Sequence, residues 1–134
     1  VANSSTERSE SACPCGSEAD YAQCCGRFLS GDELPQSAEQ LMRSRYCGFV
    51  LCDEPYLLAT WHPATRPGKV RLDSKTRWLG LRIRDTEAGG ADDVGGSVEY
   101  VARYKIDGRG HRLHEISQFD KIEGRWYYHS GQHL

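Results

Sequence analysis

Four cysteines fall within thirteen residues, as Cys13-Pro14-Cys15-Gly16-Ser17 followed by Cys24-Cys25-Gly26. That crowding limits what residues 11–31 can become. So short a segment cannot bury a core of its own, and cross-links must hold it together. With six cysteines in the chain, disulfides are the first option to weigh. Two features oppose them. Cys24 and Cys25 are neighbours, and a bond between adjacent cysteines is strained. Val1 to Ser11 is polar and rich in serine, without the basic n-region and apolar h-region of an export signal. The expected setting is therefore cytoplasmic and reducing, where crowded thiols bind metal.

Four thiolates close a tetrahedral Zn2+ site and leave no position for substrate, so the expected zinc is structural. Cys13, Cys15, Cys24 and Cys25 are its expected ligands. Neighbouring residues on a helix point about 100° apart. Cys24 and Cys25 reach one ion only at a helix start or a kink; the alternative is three ligands with Cys25 as a buried filler. A reactive redox cluster is a further alternative, because low-pKa thiolates also form disulfides. Tyr21 and Phe28 supply apolar cover. The division that follows is a disordered lead-in over 1–10, a zinc knuckle over 11–31, a Gly/Pro linker and a body over 36–134.

The body opens with helical periodicity. Ser37 and Gln40 have capping-box spacing, which lets each side chain satisfy an orphan backbone N–H. Ala38, Leu41, Met42, Tyr46, Phe49 and Val50 then share one helical face. Asp53, Glu54 and Pro55 start a second helix that carries Tyr56, Leu57, Leu58, Ala59 and Trp61, and His62-Pro63 ends it. Residues 62–74 form a loop. After Thr76 the period becomes two. Strands are expected over 78–84, 98–106, 112–121 and 125–130. Leu79, Leu81 and Ile83 share one face of the first, residues 88–97 form a flexible loop, and Asp107-Gly108-Arg109-Gly110 is a hairpin signal. Two helices followed by an antiparallel meander make an α+β fold.

Charge excludes one class of partner. Residues 1–36 carry two basic and six acidic side chains, and the whole chain has a net charge of −2. No basic footprint for nucleic acid exists. No run approaches the roughly 20 apolar residues of a membrane helix.

Cys13-Pro14-Cys15-Gly16-Ser17, Tyr21 and Cys24-Cys25-Gly26 resemble the SEC-C motif, a zinc knuckle also found at the tail of the preprotein translocase motor protein. The resemblance gives the four cysteines the ligand positions. Many SEC-C copies have Gly and Lys after the serine; here Glu18-Ala19-Asp20 follow, which argues against an anionic partner such as ribosomal RNA. Leu41-Met42-Arg43-Ser44-Arg45-Tyr46, Asp53, Tyr56-Leu57, Thr60, Trp78-Leu79-Gly80-Leu81, Glu115-Ile116-Ser117-Gln118-Phe119 and Gly124-Arg125-Trp126-Tyr127-Tyr128 resemble the YchJ-like family of bacterial proteins. That resemblance implies an NTF2-like cone, with helices packed on a curved antiparallel sheet.

A cone encloses a pocket, a common ligand site. Glu115, Ser117 and Phe119 share a strand face by period two, as do Trp126 and Tyr128 on the next strand. Tyr46, Trp61 and Tyr100 join them as candidate wall residues. Trp78 and Tyr104 are candidate core or wall residues. Desolvation would raise the pKa of Glu115 and suit it to acid–base work, making it the one catalytic candidate. The alternative, which is favoured, pairs it with Arg43 or Arg45. His111 and His114 point to opposite strand faces, and His129 and His133 lie in a tail, so neither pair makes a metal site. Cys47 and Cys52 read as small apolar helix residues.

No Ser-His-Asp order, phosphate loop or open metal motif appears. The preferred function is a zinc-binding module that engages a protein through the knuckle or a small molecule in the cone. The alternatives are an enzyme acting on a small molecule in that pocket and a redox-responsive zinc protein.

Overall fold

A computed structural model describes residues 12–134. The lead-in expected over 1–10 lies outside the described residues. A 3-10 turn (Tyr21–Gln23) and a one-turn helix α1 (Gly26–Leu29) form the knuckle, followed by helices α2 (Ala38–Val50) and α3 (Glu54–Ala59). Four strands complete the chain: β1 (Arg77–Ala88), β2 (Gly95–Ile106), β3 (Arg109–Ile122) and β4 (Arg125–His133). They form one antiparallel sheet in the order β1-β2-β3-β4.

Local chemistry accounts for most boundaries. The Ser37 hydroxyl accepts the Gln40 amide at 3.1 Å and starts α2. The return bond departs from the expected box: Gln40 Oε1 accepts the N–H of Gln36 at 2.8 Å. The Asp53 carboxylate caps α3 through the Tyr56 amide, with Pro55 in its first turn. This helix stops at Ala59, short of Trp61. Residues 60–62 instead run beside β4: Tyr128 donates to the Thr60 carbonyl at 2.8 Å and His62 donates to Tyr128 at 2.7 Å. This strap covers the outer edge of the sheet.

Asp107-Gly108 and Glu123-Gly124 are two-residue turns with positive φ at both positions, the geometry that matches the twist of the flanking strands. All four strands run longer than the period-two pattern suggests. The 88–97 segment is not a free loop. β1 and β2 extend into it, the Ala38 amide donates to the Gly89 carbonyl at 2.9 Å, and Gly89 donates to Gly95 at 3.1 Å. The 129–133 tail is strand. Bulges interrupt β1 between Trp78 and Gly80 and between Ile83 and Asp85, and another lies at Gln118/Phe119 in the β3–β4 ladder. Bulges bend a sheet. The first bulge also leaves Leu79 exposed, off the face that Leu81 and Ile83 share.

The sheet wraps α2. Ala38, Leu41, Met42, Tyr46 and Cys47 pack against Val98, Tyr100 and Ala102 of β2, Phe119 of β3 and Trp126 of β4. Burial on α2 is broader than a single stripe and takes in Ser44, Arg45, Cys47 and Gly48. The knuckle covers one flank of this helix and the sheet covers another. Among the described residues no helix is long and apolar enough to cross a membrane.

Candidate metal centre and cone cavity

The Sγ atoms of Cys13, Cys15, Cys24 and Cys25 all lie within 4.8 Å of one another. Cys13, Cys15 and Cys25 are buried, and Cys24 is partly exposed. Cys13 and Cys15 sit on a short turn in which Gly16 donates to the Cys13 carbonyl at 3.2 Å. The Cys13 amide donates to Ala19 at 2.9 Å, closing the loop. Cys24 ends the 3-10 turn and Cys25 caps α1. The backbone kinks between these two elements, with φ −120 and ψ −113 at Cys24. That kink brings adjacent side chains together, with Sγ atoms 4.0 Å apart.

Clustered thiols cannot all ionise unaided, because like charges repel at this range. Hydrogen bonds from Cys15 and Cys25 pull the Cys13 thiol below its ordinary value, and Cys25 is pushed up in return. Burial pushes Cys24 up against the pull of the Ser17 hydroxyl, 3.1 Å from its sulfur. Such a donor set can hold a metal ion, whose charge allows every sulfur to be a thiolate.

The knuckle docks on the body directly. Arg43 Nη1 donates to the Cys15 carbonyl at 2.9 Å, while its Nε holds Glu39 at 3.0 Å. Gly16, at φ +83, lies so close to β1 that a Cβ there would sit 3.3 Å from the Leu81 carbonyl. Cys47, expected as a small apolar helix residue, is fully buried, yet its Sγ lies 3.6 Å from that of Cys13. Sequence spacing held no signal for this fifth thiol, because 34 residues separate the two. Cys52 is exposed.

A cavity of about 220 Å³ opens between α2 and the sheet. Tyr46, Trp61, Tyr100, Glu115, Ser117 and Tyr128 line it, joined by Met42, Arg45, Phe49 and Trp78. Phe119 and Trp126 fill the adjoining core and do not line it. Glu115 pairs with neither Arg43 nor Arg45, the partners its sequence context suggests. Tyr100 donates to Glu115 Oε2 at 2.5 Å, and His133 Nε2 lies 3.2 Å from Oε1. Burial, reinforced by that carboxylate, pushes the Tyr100 phenol well above its ordinary range. The bulge after Gln118 sets Gly131 opposite Ser117 and His133 opposite Glu115. A Cβ on Gly131 would stand 3.0 Å from the Tyr128 hydroxyl and 3.3 Å from Glu115 Oε2, so glycine keeps this corner open.

Arg45 instead turns inward on its own. It is 3% exposed, and its Nη1 donates to the Leu57 carbonyl at 2.8 Å and to Thr60 Oγ1 at 2.7 Å. Its guanidinium lies 5.0 Å over Trp61 and 4.5 Å over Tyr128. His114 pairs with Glu99 at 2.7 Å, His111 stacks on Tyr104, and His62 packs edge-on to His129.

The chain is similar to known proteins over nearly its whole length. Residues 11–27 match the SEC-C motif, and residues 37–131 match the YchJ middle NTF2-like domain. A UPF0225 protein of Chromobacterium violaceum is 48% identical over 131 residues, covering 95% of this chain and 96% of that protein. A UPF0225 protein of Streptomyces coelicolor is 49% identical over 122 residues, covering 91% and 95%. The solution structure of a SEC-C motif containing protein from Rhodopseudomonas palustris superposes with a TM-score of 0.79 at 34% identity, covering 91% of this chain and 98% of that one. The crystal structure of a SEC-C motif containing protein from Psychrobacter arcticus gives 0.76 at 26% identity, covering 92% and 83%. With its cysteine motif set ahead of a helix-on-sheet cone, the chain belongs to the UPF0225 family, built from a SEC-C motif and the YchJ middle NTF2-like domain.

Proposed function

We propose that this protein is a zinc-stabilised binding module whose cone receives a small molecule. Tetrahedral zinc with Zn–S bonds of about 2.3 Å holds its sulfurs about 3.8 Å apart. The Cys15–Cys24 and Cys24–Cys25 separations of 3.7 and 4.0 Å suit that ion. Cys13, Cys15, Cys24 and Cys25 would hold it, and zinc's part there is to neutralise and cross-link the thiolates. A closed site of this kind is structural.

One observation carries the link to ligand binding: α2 serves both sites. Arg43 and Cys47 touch the knuckle, while Met42, Arg45, Tyr46 and Phe49 line the cavity. The knuckle thus clamps the helix that forms one cavity wall. Three of its four sulfurs are buried against the body, which favours this clamp over a free knuckle that docks a protein. The test pairs metal analysis of the purified chain with a screen of small ligands before and after chelation. One zinc per chain and ligand binding that weakens on chelation are expected. A metal-free chain, fully folded under reducing conditions, would sink the zinc reading.

A further inference from the structure

Among the described residues Arg45 is the single charged side chain that is fully buried, and it pairs with no carboxylate. An unpaired buried charge is costly. Burial lowers Arg45 to about 10, so it stays cationic at neutral pH. Part of its demand is met inside the fold. Nη1 uses both of its protons on Leu57 and Thr60, and the ring faces of Trp61 and Tyr128 lie against the guanidinium. The other edge is not met: Nε and Nη2 have no hydrogen-bond partner among the described residues, and Arg45 lines the cavity.

Two further polar groups on the same wall are idle. Ser117 Oγ and Trp61 Nε1 are both buried without a well-formed hydrogen bond, Ser117 lying beside the Tyr100 phenol. Orphaned buried polar groups are uncommon in native proteins and call for an explanation. Both are closed off from the open cavity, so a ligand meets them only by shifting the side chains that cover them.

We propose that the cavity is a carboxylate site. The Nε–Nη2 edge of Arg45 takes one carboxylate side-on, and the apolar body of a small organic acid lies against Met42, Phe49, Trp78 and Leu113. The planar fork of a guanidinium edge matches the two oxygens of a carboxylate. Charge favours a monoanion over a phosphate dianion: one cation balances one negative charge, and Glu115 on the same wall repels a second. Glu115 does not compete for the fork, since Tyr100 and His133 already engage it. At about 220 Å³ the cavity falls below the roughly 300–1,000 Å³ of drug-sized sites. Its ligand is correspondingly small.

This inference rests on the cavity being a small-molecule site, and the test separates the two. The full metal-loaded chain is titrated with acetate, butyrate and benzoate, and in parallel with acetamide, butyramide and benzamide. NMR follows the Arg45 Nε–H and the Trp61 indole N–H. The expected result is saturable movement of both signals with at least one acid, which binds about tenfold or more tightly than its amide. Amides that bind as well as their acids would overturn the carboxylate assignment and leave the small-molecule reading standing. Silence from all six compounds would remove both.

Discussion

Cys47 Sγ lies 3.6 Å from Cys13 Sγ, so the middle of α2 touches the cysteine cluster through a thiol outside the motif. The contact is buried, with Cys47 fully inaccessible. Cys47 lies outside the group whose sulfurs all approach within 4.8 Å, so it supports a ligand without joining the set. Cys47→Ala should therefore keep one metal per chain. It should destabilise the fold by about 1–2 kcal/mol, through the small void and the lost packing. Metal analysis and urea denaturation check both.

Loss of a ligand should behave differently. Metal binding supplies folding energy where a segment has no core. Cys15→Ser, or a chelator on the wild type, should therefore expose the amides of residues 12–30 to hydrogen exchange. The central β2–β3 ladder should stay protected, because its hydrogen bonds run from strand to strand and none is made to the knuckle. Acid should do the same, since the thiols must lose their protons to bind metal and affinity drops as the pH is lowered. Exchange mass spectrometry reads each case; equal protection with and without metal would contradict this account.

Gly89 tests the join between the β1–β2 turn and α2. Its φ is +82, and a Cβ there would sit 2.8 Å from the Cβ of Ala38. Gly108 has nearly the same φ, +81, with nothing within 4 Å. Both lose conformational ease as alanine, by roughly 1 kcal/mol. Only Gly89→Ala adds a collision with the first turn of a helix, and overpacking costs roughly 1–3 kcal/mol more. Thermal unfolding of the two variants should place Gly89→Ala clearly below Gly108→Ala.

What could be read along the chain was local. Cysteine spacing, the Ser37 cap, Asp53-Pro55 and Asp107-Gly108 each act within a few residues, and each appears in the fold where its chemistry requires. Strand lengths were harder, since pairing extends a ladder beyond the stretch where burial alternates; Gly95–Ser97 and residues 129–133 show this. The misplaced parts depend on distant neighbours. Trp61 leaves its helix because the residues on either side of it, Thr60 and His62, bond to the Tyr128 backbone. Arg45, expected beside Glu115, is instead claimed by α3, Thr60 and the ring of Tyr128. Cys47 joins the knuckle only after α2 docks.

The buried tyrosines predict a response to alkali. Burial raises Tyr46 and Tyr56 to about 12 and lifts Tyr100 as well. In the unfolded chain each ionises near 10. Folding therefore retains protons that the unfolded state releases above that pH. The contribution is complete below about pH 10 and is lost as pH rises towards the folded values. For Tyr46, a rise from near 10 to about 12 amounts to roughly 2–3 kcal/mol at the far end of that range. Phenolate absorbance should show these three ionising together with unfolding, and Tyr46→Phe should flatten the fall in urea midpoint above pH 10.

Ser117 sets stability against binding. Its hydroxyl is buried on the cavity wall beside the Tyr100 phenol, without a well-formed hydrogen bond. Such a group carries a desolvation penalty of about 1–3 kcal/mol, which a poorly aligned contact offsets only in part. Ser117→Ala removes the hydroxyl and leaves the strand and the neighbouring Phe119 packing unchanged. The variant should unfold at a higher urea concentration than the wild type, by about 1 kcal/mol in stability. Most substitutions at a fully buried position destabilise, so a gain is a discriminating outcome. If the hydroxyl instead meets a ligand, the same variant should hold the preferred acid of the titration series several-fold more weakly. Greater stability with weaker binding is the combined result expected, read by denaturation and NMR on one sample. A loss of stability would mean that the hydroxyl has a structural partner.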